Sequence, residues 1–315
     1  MNDLIREIEN ADSIAITGHI NPDGDCIGST LGMYNYITSN YPDKKVQVYL
    51  QEFPDVFMFL NGASAVKHEA DDETYDLFMA LDCGDTDRFE PFMNHYDTAK
   101  RRLCIDHHIS NKGFGDVCYV EPGACSAAEA IFKLLDEDMI NQPCAEALYM
   151  GIVHDTGVFK HSNTTRESMT IAGILIEKGA RPSFVIDETF YRKTLTQNKL
   201  LGYALLGMKQ FAGGKITHTL LTWDDFAKFG ASKMDTDGIV DQLRLTSGTE
   251  VAFFMYQSGP DEYKISFRSN EIVNVSQIAC SHGGGGHVKA AGCNMKGDPE
   301  KIVAEIVAEI EKQLG

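Results

Sequence analysis

Short apolar runs alternate with helix-like segments through the first half of the chain. Runs such as SIAIT and LFMAL are typical of buried strands, whereas apolar positions spaced three or four residues apart are typical of helices. The strands are predicted at Ser13–Thr17, Lys45–Leu50, Leu77–Leu81 and Leu103–Ile105, and the helices at Cys26–Thr38, Ser126–Asp136, Pro143–Ile152 and Arg166–Lys178. This repetition of strand, crossover and strand predicts an α/β fold with a parallel sheet and helices on both faces.

The pattern changes after about residue 190. Helical periodicity from Leu195 to Lys209 predicts a connecting helix, and Gly213-Gly214 opens a new region. Beyond it, strands are predicted at Lys215–Leu221, Glu250–Gln257 and Tyr263–Arg268, and helices at Asn274–Ser281 and Asp298–Leu314. We therefore predict a parallel-sheet domain over residues 1–190, a connecting segment over 191–212 and a smaller mixed α/β domain over 213–315.

Acidic and histidine side chains follow three of the predicted strands directly. They are His19, Asp23 and Asp25 after the first strand, Asp82 after LFMAL, and Asp106, His107 and His108 after Leu103–Ile105. The carboxyl ends of parallel strands share one edge of a sheet, so these side chains are expected to converge there. Asp155, which follows an apolar helix, is a further candidate for the same site.

Several carboxylates gathered without a counter-charge would repel one another, and a bound metal resolves that repulsion. Oxygen ligands from Asp and nitrogen ligands from His, without thiolates, suit manganese or magnesium and permit zinc, cobalt or iron. About four carboxylates and two imidazoles exceed the needs of one ordinary site. Two bridged metal ions would use them well, because such a pair holds a phosphate and activates a water.

Each of these motifs also has an ordinary structural explanation. Asp23-Gly24 alone is a turn, and a lone histidine such as His107 or His108 is more often structural. Their recurrence at three predicted strand ends favours the functional interpretation. His154 and His161 are interpreted as structural.

Four consecutive glycines distinguish the C-terminal region, in the segment from Ser281 to Gly292. Such a run lets the backbone approach a ligand and directs N–H groups at an anion, and His287 and Lys289 could add charge. Arg268, at the end of a predicted strand, could bind a phosphate bidentately. A flexible loop and a surface arginine are the structural alternatives.

Composition narrows the class of partner and the compartment. The net charge of −18 argues against a protein that coats long DNA or RNA, although metal cations can invert the field within one cleft. No segment approaches ~18 consecutive apolar residues and no signal-peptide core is evident, so a cytoplasmic protein is predicted. The eight cysteines include no C-x-x-C pair and are interpreted as buried thiols, with a zinc site or disulfide framework as the alternative.

Five ordered motifs resemble the DHH phosphoesterase superfamily, in particular its nanoRNase and pAp phosphatase (NrnA-like) branch. They are GHINPDGDCIGS from Gly18, ALDCGD from Ala80, Asp106-His107-His108, GIVHDTG from Gly151, and GGGGHVKAAG from Gly283. The resemblance covers nearly the whole chain. It implies a DHH catalytic domain followed by a DHH-associated substrate-binding domain, with the active site in the cleft between them.

The resemblance also implies roles for individual residues. His19 and Asp23 would bind one metal, Asp25 and His107 the other, and Asp82 and Asp155 would lie between or near both. Asp82, His107, His108 and Asp155 would be catalytic, with His108 near the scissile phosphate and Asp106 orienting a histidine. Arg268, Ser269, Gly284, Gly285, Gly286 and His287 would bind the nucleotide or terminal phosphate of the substrate.

The implied activity is hydrolysis of short oligoribonucleotides, pApA-type linear dinucleotides or 3′-phosphoadenosine 5′-phosphate (pAp) by two-metal activation of water. Two divalent ions are expected, manganese first, with magnesium or cobalt as alternatives. Neither a long nucleic-acid duplex nor a membrane is expected as a partner, and a homodimer is compatible with the sequence. The alternatives are a cyclic-dinucleotide phosphodiesterase, a RecJ-like single-strand exonuclease and a noncatalytic nucleotide sensor.

Overall fold

The computed structural model describes residues 3–315, and these divide into two compact units. The first unit ends at Arg192 and the second is Lys193–Gly315. Each unit contains one sheet with its own apolar clusters. The predicted end of the first domain, at residue 190, lies close to this division.

The sheet of the first unit is parallel throughout and has the strand order β2-β1-β3-β4-β5 within the described residues. Its strands are β1 (Ser13–Thr17), β2 (Lys45–Tyr49), β3 (Leu77–Leu81), β4 (Arg101–Asp106) and β5 (Val117–Val120). The predicted parallel sheet is confirmed. The sequence analysis did not predict β5, which lies at the edge of the sheet and is only half-buried.

Successive side chains on the central strands face two different apolar clusters. Ile14 and Ile16 of β1 belong to one cluster and Ala15 to the other, as expected for a strand covered on both faces. The helices of this unit are α1 (Asp3–Asn10), α2 (Gly24–Asn40), α3 (Met93–Thr98), α4 (Ala127–Leu134), α5 (Gln142–Asp155), α6 (Arg166–Glu177) and α7 (Pro182–Ile186). Buried residues of α2, α4 and α5 cover one face, and α3 contributes to the other, so helices cover both faces as predicted.

Helices α2 and α5 approach closely where both lack side chains. A Cβ atom on Gly28 would lie 2.5 Å from the carbonyl oxygen of Ala147 and 2.7 Å from the backbone nitrogen of Gly151. A Cβ atom on Gly151 would lie 2.7 Å from Oδ1 of Asp25. The two glycines therefore allow the helices to touch and leave space for the Asp25 carboxylate.

The second unit has a mixed sheet with the strand order β10-β11-β9-β8-β7-β6. Its strands are β6 (Lys209–Phe211), β7 (Ile216–Leu221), β8 (Val251–Gly259), β9 (Glu262–Ser269), β10 (Gly285–His287) and β11 (Ala290–Lys296). Strands β7 and β8 are parallel and the other neighbouring pairs are antiparallel. The predicted mixed α/β domain is confirmed.

Helices also cover both faces of this second sheet. They are α8 (Leu195–Leu206), α9 (Trp223–Phe229), α10 (Ile239–Arg244), α11 (Val275–Ser281) and α12 (Pro299–Leu314). The predicted connecting segment, 191–212, contains α8 and β6. Leu200 and Ala204 of α8 are buried in an apolar cluster of the second unit, and β6 pairs with β7, so the segment packs as part of that unit.

All eight cysteines are unpaired within residues 3–315, and six of them are buried. Cys118 and Cys280 are exposed, contrary to the prediction of buried thiols, because they lie on an edge strand and on a helix surface. Across the described part of the chain, none of the helices is both long and apolar enough to span a bilayer.

Candidate metal centre

The loops after β1, β3 and β4 place their polar side chains at one edge of the first sheet. Strand β1 lies between β2 and β3, and β3 lies between β1 and β4. The strand order therefore reverses between β1 and β3, the position at which parallel α/β sheets commonly bind ligands. His19 follows β1 by two residues, Asp82 follows β3 directly, and His107 follows β4 directly.

His19, Asp23 and Asp82 form the first group of candidate ligands. One ligand atom from each of these residues lies within 4.8 Å of the others. Nε2 of His19 is 3.6 Å from Oδ1 of Asp23 and 3.4 Å from Oδ2 of Asp82. Such spacing is too long for good hydrogen bonds and leaves room for a cation between the three atoms.

Asp25, His107 and Asp155 form the second group, again with ligand atoms within 4.8 Å of one another. Nε2 of His107 is 3.9 Å from Oδ2 of Asp25 and 3.3 Å from Oδ2 of Asp155. It is also 3.5 Å from Oδ1 of Asp82. The two carboxylate oxygens of Asp82 therefore face different groups, Oδ2 towards His19 and Oδ1 towards His107.

Asp82 has an unusual backbone and a buried side chain. Its φ of 58° lies in the left-handed region, which Asp tolerates better than most residues. The residue is 2% exposed, and no atom among residues 3–315 makes a hydrogen bond to its buried Oδ1. A buried carboxylate oxygen without a donor is costly, so the donor set fits a divalent cation at this position.

Backbone N–H groups hold two of the other carboxylates. Asp25, fully buried on α2, accepts hydrogen bonds from the backbone nitrogens of Ala127 at 2.6 Å and Ala128 at 3.1 Å. These are the first residues of α4, whose N-terminus favours a negative charge. Asp23 caps α2 by accepting from the backbone nitrogens of Asp25 and Cys26 at 3.1 Å each. Both carboxylates are thereby fixed before any cation binds.

His108 is held by a chain of hydrogen bonds. Its Nδ1 lies 2.7 Å from Oδ1 of the buried Asp106, and Nδ2 of Asn111 donates to Oδ2 of the same carboxylate at 2.8 Å. Asn111 also donates to the backbone oxygen of Cys83 at 3.0 Å. Asp106 thus orients His108, and Asn111 orients Asp106. The sequence analysis missed Asn111, for which its position in the loop after Asp106-His107-His108 was the available signal.

The carboxylates of the cluster raise the pKa values of its histidines when no metal is bound. Burial lowers the pKa of His19, but the nearby carboxylates of Asp23 and Asp82 outweigh it and raise that pKa to about 10. The pKa of His107 is likewise raised to about 10, by Asp82 and Asp25 against the effect of burial. For His108 the hydrogen bond with Asp106 is the largest cause and raises the pKa.

The carboxylates titrate differently according to their partners. Burial, together with the charges of Asp82 and Asp155, raises the pKa of Asp25 well above its usual range. Burial also raises the pKa of Asp155, to about 6. Burial acts in the same direction on Asp23, but the nearby His19 ring and the backbone hydrogen bonds at the start of α2 dominate and lower its pKa to about 2. Divalent cations would replace the protons that compensate this cluster of charge.

His154 and His161 lie beside the cluster. The ring of His154 is buried between Phe57 and Phe190, at centroid distances of 5.3 and 4.4 Å, and burial lowers its pKa to about 4. It also fills the space that a side chain on Gly24 would occupy. His161 is exposed, with Nδ1 3.3 Å from the backbone oxygen of Asp155. Neither residue belongs to the two groups of candidate ligands.

The candidate substrate-binding residues lie on neighbouring strands of the second unit. Arg268 of β9 and His287 of β10 both pair in register with Ala290 of β11, so their side chains share one face of the sheet. Nε of Arg268 is 3.3 Å from Oδ1 of Asp241. The hydroxyl of Ser269 is buried and donates to the backbone oxygen of Val273 at 2.7 Å, so it is engaged within the unit.

The glycine run is explained in part by strand pairing. A Cβ atom on Gly284 would collide with the backbone oxygen of Gly292, and one on Gly286 would lie 2.6 Å from that of Ala290. Gly286 also has a φ of 140°. Gly285, by contrast, is open to solvent. Close backbone approach therefore accounts for two of the three candidate glycines and leaves Gly285 and His287 exposed.

Comparison with known proteins matches one family model in each of the two units. The family model described as "DHH family, N-terminal domain" matches residues 13–152, and the model described as "DHHA1 domain" matches residues 212–315. A curated relative from Bacillus subtilis (strain 168), "Bifunctional oligoribonuclease and PAP phosphatase NrnA", is 28% identical over 311 residues and covers 96% of both chains.

Two further relatives extend this similarity. The Thermus thermophilus protein of the same name is 28% identical over 314 residues, covering 96% of this chain and 90% of its own. Among solved structures, the crystal structure of an exopolyphosphatase-related protein from Bacteroides fragilis superposes with a TM-score of 0.84 at 27% identity. The match covers 98% of this chain and 95% of that protein.

Proposed function

This chain belongs to the DHH family, as its motifs predict, and is a hydrolase of phosphate esters; from that premise we propose that it cleaves short oligoribonucleotides, pApA-type linear dinucleotides and pAp. The relatives from Bacillus subtilis and Thermus thermophilus are named for oligoribonuclease and PAP phosphatase activities. The observation that supports a metal-dependent reaction is the position of Asp82 between two groups of ligand atoms.

Two divalent cations fit the cluster. His19, Asp23 and Asp82 would hold one, and Asp25, His107 and Asp155, with the other oxygen of Asp82, would hold the second. Divalent cations in such a site polarise the phosphate, lower the pKa of a water and stabilise charge on the leaving oxygen. Manganese is the first candidate and magnesium or cobalt the alternatives, because the donors are carboxylate oxygens and imidazole nitrogens.

The protein's own groups would orient the phosphate and supply a proton. Asp106 holds Nδ1 of His108 and raises the pKa of that ring, which favours its protonated form. The side chain is 44% exposed, which leaves Nε2 able to donate to a phosphate oxygen. Asn111 would act as a positioning residue through Asp106. In the transition state, negative charge develops on the phosphate oxygens. A donor that is already held in position would stabilise this charge without further rearrangement of the protein.

The second unit would bind the end of the substrate remote from the scissile bond. Arg268 and His287 share one face of the sheet and could both reach a terminal phosphate or the groups of a nucleotide. Gly285 leaves the edge of that face open to a close ligand. A site that binds both ends would favour short substrates, since a long strand gains no further contact from a chain of net charge −18.

The deciding experiment is product formation from pAp, pApA, a cyclic dinucleotide and a ladder of RNA lengths, with manganese, magnesium or chelator. We expect manganese-dependent release of mononucleotides or phosphate, fastest on the shortest substrates. Rapid processive degradation of the longest RNA would instead indicate a RecJ-like exonuclease. Binding of nucleotides by folded, metal-loaded protein with no turnover of any substrate would indicate a sensor.

A further inference from the structure

A second cluster of metal-binding side chains lies in the second unit, apart from the residues assigned to catalysis. His282, Glu305 and Glu309 each offer one ligand atom, and these atoms all lie within 4.8 Å of one another. We propose that the three side chains form a structural site for a divalent cation of the zinc type, which joins the end of α11 to the middle of α12. This site goes beyond the proposed phosphoesterase activity.

The arrangement follows from the sequence of α12. Ile302, Ile306 and Ile310 recur every four residues and form the buried stripe of this helix. Glu305 and Glu309 are also four residues apart, so their carboxylates lie on one flank, beside the stripe. His282 directly follows Ser281, the last residue of α11, and its ring meets that flank. Two helices therefore bring one imidazole and two carboxylates together.

The imidazole of His282 provides independent evidence for a cation at this cluster. Its side chain is only 11% exposed, and within the described chain its buried Nε2 has no hydrogen-bond partner. That nitrogen lies 3.3 Å from Oε1 of Glu309, in an orientation that forms no hydrogen bond. A buried polar atom without a partner is costly, and a cation between nitrogen and oxygen would satisfy both.

At the opposite end of α11 and α12, the contact between the two helices is fully hydrogen-bonded. There, Oε1 of Gln313 accepts from the backbone nitrogen of Asn274 at 2.9 Å, and Nε2 of Gln313 donates to the backbone oxygen of Asn274 at 3.3 Å. None of the groups in that contact is charged, and both amide atoms of Gln313 have a hydrogen-bond partner. At the His282 end, Ser281 donates to Oε2 of Glu309 at 3.3 Å, and the carboxylate of Glu305 brings a second negative charge beside the first.

Zinc is the cation to test first. It accepts imidazole nitrogen and carboxylate oxygen in one site, and water takes the fourth position in zinc sites with three protein ligands, an arrangement best known from catalytic zinc. Because His282 immediately precedes Gly283–Gly286, a bound cation would also fix the start of the glycine run that leads into β10. Binding to the folded state alone would stabilise the second unit.

The test is the amount of zinc bound by the full-length chain at limiting free zinc, measured by mass spectrometry of the metal after equilibrium dialysis. We expect Glu309→Gln and His282→Gln each to bind one equivalent less than wild type. Glu311→Gln is the matched control, because this exposed residue lies on the same helix and contributes no side chain to the cluster. It should bind as much zinc as wild type. Equal zinc in all four proteins would overturn the proposal.

Thermal unfolding separates a loss of the site from a loss of the fold. In chelator, Glu309→Gln should melt at or above the temperature of wild type, because one of two neighbouring carboxylates has been neutralised. Added zinc should raise the melting temperature of Glu311→Gln more than that of Glu309→Gln, in a common Asp82→Asn background that weakens the first cluster. A lower melting temperature of Glu309→Gln in chelator, with no difference in zinc response, would show an ordinary His–Glu ion pair and contradict the site.

Discussion

The candidate metal ligands of the first unit and the candidate substrate-binding residues of the second are held in different ways. In the first unit, carboxylates and imidazoles that are mostly buried are gathered after the strand ends, where a helix N-terminus and backbone N–H groups hold two of the carboxylates in place. In the second, Arg268 lies at the surface of the sheet beside one carboxylate, from Asp241, and His287 is exposed. Cations require ligands with fixed positions, whereas the free end of a flexible substrate can be held by groups that adjust to it. The following predictions test this contrast.

The largest effect is expected from Asp82→Ala. The substitution removes the carboxylate that faces both ligand groups, so turnover should fall on the order of 10³-fold or more on every substrate, with loss of bound metal. In chelator the variant should be less stable than wild type at neutral pH, because the protonated rings of His19 and His107 lose a carboxylate partner. Steady-state kinetics, metal analysis and melting in chelator check these outcomes. The control is Asp87→Ala, because Asp87 is exposed and lies in the same loop. Normal activity of Asp82→Ala would refute the assignment of Asp82 as a shared ligand.

Because α2 and α5 approach closely, the stability of the first unit should be sensitive to a single added methyl group. Gly28→Ala places a Cβ atom against the backbone of α5, so we expect destabilisation of about 2–3 kcal/mol. Gly202→Ala, on the exposed side of α8 in the second unit, meets no described atom within 4 Å and should stabilise by about 0.5–1 kcal/mol. Urea unfolding of the two variants measures both changes. The same sign for both would contradict the described approach of α2 to α5.

Metal affinity should depend on pH in the first unit. The pKa values of His19 and His107 are raised from 6.5 to about 10 in the metal-free fold, so both rings are protonated at neutral pH. A cation must displace these protons, and its affinity should rise roughly tenfold per pH unit for each proton released. Titration calorimetry in buffers of different ionisation enthalpy would count the protons. In metal-free protein, the stabilisation from these two rings is complete below pH 6.5 and is lost as the pH rises towards about 10.

The smallest effect is expected at Arg268 in the second unit. Arg268→Ala should raise KM for pAp and pApA about tenfold, the loss of a charge-assisted hydrogen bond, and should leave kcat and bound metal unchanged. Arg244 also lies near Asp241, with Nε 3.8 Å from Oδ1, and provides the control Arg244→Ala. If both variants raise KM equally, the effect arises from the uncovered Asp241 carboxylate and Arg268 does not bind substrate.

The parts of the fold that could be predicted are those in which burial imposes a pattern. Strands β1 and β3 are buried along nearly their whole length, so SIAIT and LFMAL were evident as strands and the acidic residues after them as a common site. Strand β5 is half-buried at a sheet edge, and β10 consists of two glycines and a histidine, so neither has a side-chain pattern. Their existence depends on pairing with β4 and β11, which a local pattern does not encode.

Other features depend on which elements meet in space. The periodicity of α8 predicted a helix but could not show that Leu200 and Ala204 would enter the core of the second unit. The contribution of Asn111 depends on a hydrogen bond across the loop to Asp106. His282 and Glu309 are separated by 27 positions, and only the packing of α11 on α12 brings them together. Predictions from local pattern therefore stop where a residue's role is set by a distant neighbour.

The hydrogen bonds between Asp25 and the start of α4 couple the local unfolding of α2 to that of α4. The first turn of a helix usually frays because its N–H groups have no partners within the helix. In this protein those of Ala127 and Ala128 are occupied by a carboxylate that arrives from α2. Fraying of α4 would therefore leave the buried carboxyl group of Asp25, on another helix, without its hydrogen-bond donors. We expect these two amide protons to exchange with solvent only in the rare, large-scale openings of the whole sheet domain, far more slowly than their place at a helix end would suggest.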